Sequence, residues 1–154
     1  MADGRAKEAG RVFRTEVKVR FFEADPAGVL FFARFFAKAH EVLEEFVTAA
    51  GIPWEDWFGG KETLVPLKKV EADYKRPLRP GEIVPAELSV LELGRSKVVF
   101  LVRFLGEGGP ACLVRMTGVF VRARDMRPVS IPPAIREKLE PYLAGGDGGG
   151  ATGP

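Results

Sequence analysis

A chain of 154 residues with 46% hydrophobic and 29% charged side chains has the make-up of one globular core, leaving little room for a second domain. Its net charge of +2, from 23 basic against 21 acidic side chains, is too small to argue for nucleic acid or an anionic membrane surface. One Cys rules out an intrachain disulfide and one His rules out a multi-His metal site, so no metal is expected; nor does any apolar run approach the roughly 20 residues that span a bilayer. Met1 to Arg11 lacks the apolar core of a secretory signal, which makes a cytoplasmic protein the expectation.

In chain order, residues 1–12 are small and charged and residues 144–154 are dominated by Gly, so both read as flexible tails around a single domain at 13–143. Over 13–21 the apolar residues Phe13, Val17, Val19 and Phe21 alternate with Glu16, Lys18 and Arg20, the period of a half-buried strand. Residues 29–50 then read as one long helix, stopped by Gly51 with Pro53 beyond. Arg34, Lys38, Glu41 and Glu45 confine its charge to a narrow polar stripe, while Phe32, Phe35, Phe36, Ala39, Leu43 and Phe46 make the rest apolar. At least two of Phe31, Phe32, Phe35 and Phe36 are expected in the core.

So broad an apolar surface needs a sheet around it, and four strand-like runs follow at 62–74, 82–93, 96–105 and 111–123. Val84, Ala86, Leu88 and Val90 share one face of the second run, and Val98, Phe100, Val102 and Phe104 one face of the third. Gly94-Arg95 and the segment from Gly106 to Pro110 supply hairpin turns, Arg76 to Gly81 a longer crossing connection, and a short helix follows Pro132-Pro133. The expectation is an α+β fold, a curved antiparallel sheet of about five strands wrapped around one long central helix. An open sheet edge is a ready template for a partner strand.

The chemistry concentrates at Asp25, a carboxylate in a Pro26/Gly28 turn between the strand and the helix. An ionised Asp beside the first free N–H groups of a helix places a base or nucleophile next to an oxyanion site. The plainer reading is that Asp25 only caps the helix or initiates a turn. His40 reads as a packing residue and Cys112, alternating with Val114 and Met116, as a small buried hydrophobe. Glu62 and Glu71 are lesser candidates for a second carboxylate.

The segment from Phe21 to Phe32, and above all Asp25-Pro26-Ala27-Gly28, resembles the signature of the 4-hydroxybenzoyl-CoA thioesterase family of hot-dog-fold proteins. That resemblance implies that Asp25 is the catalytic carboxylate and that the Phe32 backbone N–H polarises the thioester carbonyl. Related short-chain acyl-CoA thioesterases carry His where this chain has Phe32, so a His contribution is missing while the backbone role survives. Ala39-His40-Glu41 followed by Gly51-Ile52-Pro53 is similar to the helix of 1,4-dihydroxy-2-naphthoyl-CoA hydrolases, which have a fold of the same class. The likeness runs roughly from Thr15 to Arg122 and implies an acyl-CoA substrate, with no cofactor beyond the coenzyme A that the substrate carries; since hot-dog sheets usually pair edge to edge, it also implies a homo-oligomer, a dimer or a dimer of dimers that makes a homotetramer. Arg95, Ser96 and Lys97, in a basic hairpin, match the region that holds the nucleotide; Arg76, Arg79, Arg122 and Arg124 are further candidates. The function implied is hydrolysis of an aromatic or other acyl-CoA. A non-catalytic acyl-CoA sensor is the alternative, and a dehydratase, which needs a loop His, ranks last.

Overall fold

The computed structural model describes residues 10–145, and residues 1–9 and 146–154 of the expected tails lie outside the described residues. In chain order the elements are β1 (Phe13–Lys18), a 3₁₀ turn (Phe21–Glu23), α1 (Arg34–Ala49), α2 (Trp54–Phe58), β2 (Thr63–Leu64), β3 (Leu67–Tyr74), β4 (Ile83–Leu93), β5 (Lys97–Gly106), β6 (Gly109–Val119), β7 (Val121–Arg122), α3 (Pro133–Leu139) and a second 3₁₀ turn (Glu140–Tyr142). Five strands form one antiparallel sheet in the order β1-β4-β5-β6-β3, and β2 pairs with β7 as a separate ribbon.

Alternation sets the sheet's register. Val84, Ala86, Leu88 and Val90 of β4 are buried, as are Val98, Phe100, Val102 and Phe104 of β5, and the pairs Leu88–Val102 and Val90–Phe100 stand opposite each other. A one-residue slip would turn all eight toward water. On that face lies α1, which packs against β1, β3, β4 and β6. Its buried residues Phe35, Ala39, Val42, Leu43, Phe46 and Val47 follow helical spacing, and Phe35 meets Phe104 edge-on at 5.6 Å while Phe46 meets Phe100 at 5.9 Å. Gly51, at φ +83°, ends the helix as expected; the Ile52 N–H then reaches back to the Val47 carbonyl at 3.1 Å.

Several expectations change. The helix begins at Arg34 rather than at residue 29, because the Leu30 N–H is taken by the Leu78 carbonyl at 2.6 Å and Ala24 bridges Leu30, folding the segment between them into a hairpin-like loop. The first strand stops at Lys18, and the chain turns where the Glu23 N–H bonds the Arg20 carbonyl, so Phe21 is 87% exposed instead of facing inward. Of Phe31, Phe32, Phe35 and Phe36 only Phe35 is buried, and Lys38, placed on the polar stripe by its spacing, is buried as well. The runs at 62–74 and 111–123 each divide in two, since β2 and β7 leave the main sheet to pair with each other. The Gly106–Pro110 hairpin is tighter than its sequence suggests, with β5 and β6 reaching Gly106 and Gly109. Helix α2 was not legible; its signal is Pro53 followed by Glu55 and Asp56 in the first turn.

Candidate active site

Asp25 sits at the tip of the loop between the first 3₁₀ turn and α1, and it organises that loop itself. Its Oδ1 accepts the Ala27 N–H at 2.8 Å and, more weakly, the Val29 N–H at 3.5 Å; its backbone carbonyl accepts the Gly28 N–H at 2.8 Å. Gly28, at φ +80°, supplies the left-handed step that this turn requires. Oδ2 has no hydrogen bond among the described residues. Asp25 thus caps its own turn and not the helix, whose first residue lies nine positions further on.

Phe32 lies in the turn that leads into α1. The Arg34, Phe35 and Phe36 N–H groups bond the carbonyls of Phe31, Phe32 and Ala33 at 2.8, 3.2 and 3.3 Å, a tight 3₁₀-like entry. The N–H groups of Phe32 and Ala33, just ahead of them, find no acceptor among the described residues. They occupy the place of unpaired donors at a helix N-terminus, where partial positive charge accumulates.

One neighbour secures this turn and was not singled out in the sequence. The Tyr74 hydroxyl, from the end of β3, donates to the Phe32 carbonyl at 2.9 Å, and its ring stands edge-on to Phe32 and Phe35 at 5.9 and 5.5 Å. Burial, with a smaller push from Cys112, holds the Tyr74 phenol above its ordinary value, so it stays a donor. Leu30, Phe32, Phe35, Tyr74, Lys75, Arg76 and Pro77 line an open cavity of about 290 Å³, apolar at its base and cationic at its rim. A second pair, Glu23 and Lys38, lies buried behind the loop at 3.1 Å. Neither had a sequence signal beyond the helical spacing that put Lys38 on the wrong face.

The expected nucleotide site lies elsewhere. The Gly94 N–H closes the turn onto the Lys97 carbonyl at 2.8 Å, with Arg95 exposed, Ser96 accepting the Phe120 N–H on its carbonyl, and Lys97 paired with Glu92 at 3.0 Å. This turn follows the C-terminal end of β4, whereas Asp25 lies near its N-terminal end, so the 11 residues of β4, roughly 35 Å of strand, separate them within one chain. Arg122 and Arg124 line a cavity at the Arg95 end, although Arg122 is already paired with Asp125 at 3.1 Å. Arg76 holds the Glu107 carbonyl at 2.7 Å. His40 bonds Glu44 at 2.7 Å and packs near Phe58. Cys112 is buried, and burial followed by the Asp73 carboxylate pushes its thiol up to about 12, which excludes it as a thiolate nucleophile at neutral pH. Glu71 is paired with Lys69 at the sheet edge. Among the described residues no group of three metal-ligating side chains occurs, and no helix is long and apolar enough to cross a membrane.

With this geometry in place, residues 19–139 match the family model described as thioesterase-like superfamily. The chain belongs to that superfamily. A 1,4-dihydroxy-2-naphthoyl-CoA hydrolase of Prochlorococcus marinus (strain NATL1A) is 30% identical over 127 residues, covering 78% of this chain and 78% of that one. One from Synechococcus elongatus is 25% identical over 123 residues, covering 79% of this chain and 90% of the relative. Among solved structures, one described as a putative thioesterase from Prochlorococcus marinus superposes with a TM-score of 0.77 at 26% identity, over 88% of this chain and 97% of that one. A 1,4-dihydroxy-2-naphthoyl-CoA thioesterase from Synechocystis gives 0.77 at 15% identity, over 84% and 96%, a likeness of fold. The architecture of this superfamily member is the hot-dog fold.

Proposed function

We propose that this superfamily member hydrolyses acyl-CoA thioesters and that its acyl group is aromatic, with 1,4-dihydroxy-2-naphthoyl-CoA, the substrate in its relatives' names, as the first candidate. The observation that carries the reading is one loop bearing both a carboxylate with a free oxygen, Asp25, and a backbone N–H without an acceptor, Phe32. Thioester cleavage asks for those two groups. The Phe32 N–H stabilises the oxyanion that forms on the carbonyl oxygen, a contribution worth about 10²- to 10³-fold in rate. Asp25 either attacks the carbonyl carbon, expelling CoA thiolate and leaving a mixed anhydride for water to cleave, or takes a proton from the attacking water. Label found in the Asp25 carboxylate after one turnover in heavy-oxygen water marks the first route.

The aromatic preference rests on Phe32, Phe35 and Tyr74, whose rings line the cavity and offer edge and face contacts to a planar acyl group. Coenzyme A reaches Arg95, Ser96 and Lys97 through a second copy of the chain. Strand β3 is an open edge of the sheet, and two β3 strands paired antiparallel about a two-fold axis set the Arg95 end of one protomer beside the Asp25 end of the other. Its charge order suits self-pairing: Lys68 and Lys69 precede Glu71 and Asp73, so reversal brings opposite signs together.

The test is hydrolysis of a panel of benzoyl-, 4-hydroxybenzoyl-, 1,4-dihydroxy-2-naphthoyl- and hexanoyl-CoA by the wild type and by Asp25→Asn, read as released thiol. The aryl esters are expected to turn over fastest, and the variant to lose at least about 10²-fold in kcat, as removal of a catalytic group predicts. Binding without turnover by either protein would replace this reading with an acyl-CoA sensor.

A further inference from the structure

Glu23 and Lys38 are the buried charged side chains of the described residues, and hydrolysis as set out above uses neither. With side chains only 7% and 4% exposed, they lie 3.1 Å apart between α1 and the Asp25 loop. Lys38 Nζ also donates to the Lys18 carbonyl at 2.8 Å, and Glu41 stands further off at 3.8 Å. Glu23 Oε1 accepts the Arg20 N–H at 2.8 Å as well, and the Glu23 carbonyl accepts the Phe31 N–H at 3.0 Å. Contacts therefore run from the second turn of α1, through the pair, to the end of β1 and to both stems of the loop. Glu23 lies two residues before Asp25, and Phe31 immediately precedes Phe32.

A buried ion pair is a poor device for stability, because desolvation offsets the attraction and an apolar pair of equal volume does as well. What it adds is direction, since charge-assisted bonds of set length admit few alternative placements. We infer that Glu23 and Lys38 are positioning residues, holding the Asp25 carboxylate and the Phe32 N–H at the separation that thioester cleavage requires. This inference rests on the function proposed above. Neither residue lines the acyl cavity, so loosening the pair leaves substrate binding in place and spoils alignment.

Three variants test it with the panel ester that the wild type hydrolyses fastest. Glu23→Asp withdraws the carboxylate by one methylene and is expected to lower kcat at least ~10-fold with KM within ~3-fold, since misplacement near 1 Å costs up to ~10²-fold. Glu23→Gln keeps an oxygen acceptor for Arg20 but leaves the buried Lys38 charge unmatched, and is expected to lower Tm as well as kcat, with KM again within ~3-fold. The double variant Glu23→Leu/Lys38→Met leaves no lone buried charge and is expected to keep the parent Tm while losing kcat at least ~10-fold. Wild-type kcat in Glu23→Asp or in a folded double variant, or a rise in KM with kcat unchanged, overturns the inference. Should the double variant not fold, Glu23→Asp decides alone. A dead Asp25→Asn beside a full-rate Glu23→Asp sinks only the positioning role, whereas an active Asp25→Asn sinks the reading of the site itself.

Discussion

At the end of the molecule away from Asp25, Trp57 is buried against Phe100 and Phe120, with ring contacts at 5.9 and 5.2 Å, and Phe46 against Phe100 and Tyr142 at 5.9 and 4.8 Å. At the Asp25 end, Phe21, Phe22, Phe31, Phe32 and Phe36 are exposed, and Arg34 lies over the Phe22 ring. The same residue type does opposite work at the two ends. One end spends its aromatic surface on folding, while the other leaves it uncovered around a carboxylate and two unpaired N–H groups. A patch of that kind marks a place where a ligand or a second chain completes the surface.

Breaking the closed end should cost the most. Phe120→Ala is expected to destabilise the fold by about 3–5 kcal/mol, and Phe32→Ala by less than about 1 kcal/mol, both measured by urea unfolding. Equal losses would erase the distinction between the ends. Close behind comes Lys38→Met alone, which strands Glu23 without its partner and is expected to cost about 3–5 kcal/mol in the same assay; the double variant should recover most of it.

Smaller effects sharpen the open end. Tyr74→Phe removes the hydroxyl that fixes the Phe32 carbonyl, so kcat is expected to fall about 10-fold through misalignment while unfolding shifts by about 1 kcal/mol or less. Arg95→Ala is expected to raise KM for the CoA ester roughly 3- to 10-fold, more at low salt, and to leave KM for the matching N-acetylcysteamine thioester unmoved. The smallest effect is alkaline. Because the folded Cys112 thiol is raised from 9.0 to about 12, the stability it contributes is complete below pH 9 and is lost as pH rises toward 12. Cys112→Ala should therefore show a flatter decline of Tm with pH above 9 than the wild type.

Residue patterns reached far into the fold. The alternating faces of β4 and β5, the Gly51 stop, the turn at Gly94 and the helix after Pro132 all follow from local rules, because each depends on residues two to four positions apart. Asp25 was legible for the same reason: an Asp-Pro-Ala-Gly turn announces itself. Tyr74, Glu23 and Lys38 were not, since Tyr74 meets Phe32 across 42 positions of sequence and Lys38 bonds Lys18 across 20. The helix boundary failed similarly, at Leu30, whose N–H is claimed by Leu78.

By itself, then, the sequence determined which segments alternate, where the chain must turn and that Asp25 stands in one of those turns, all properties of short stretches. Only the tertiary structure decided where α1 begins, which phenylalanines remain in water, that a Lys on a polar stripe turns inward, and that Asp25 and Arg95 stand at opposite ends of a protomer. Those outcomes depend on which distant group claims a backbone N–H or a charge, a competition settled when the chain packs.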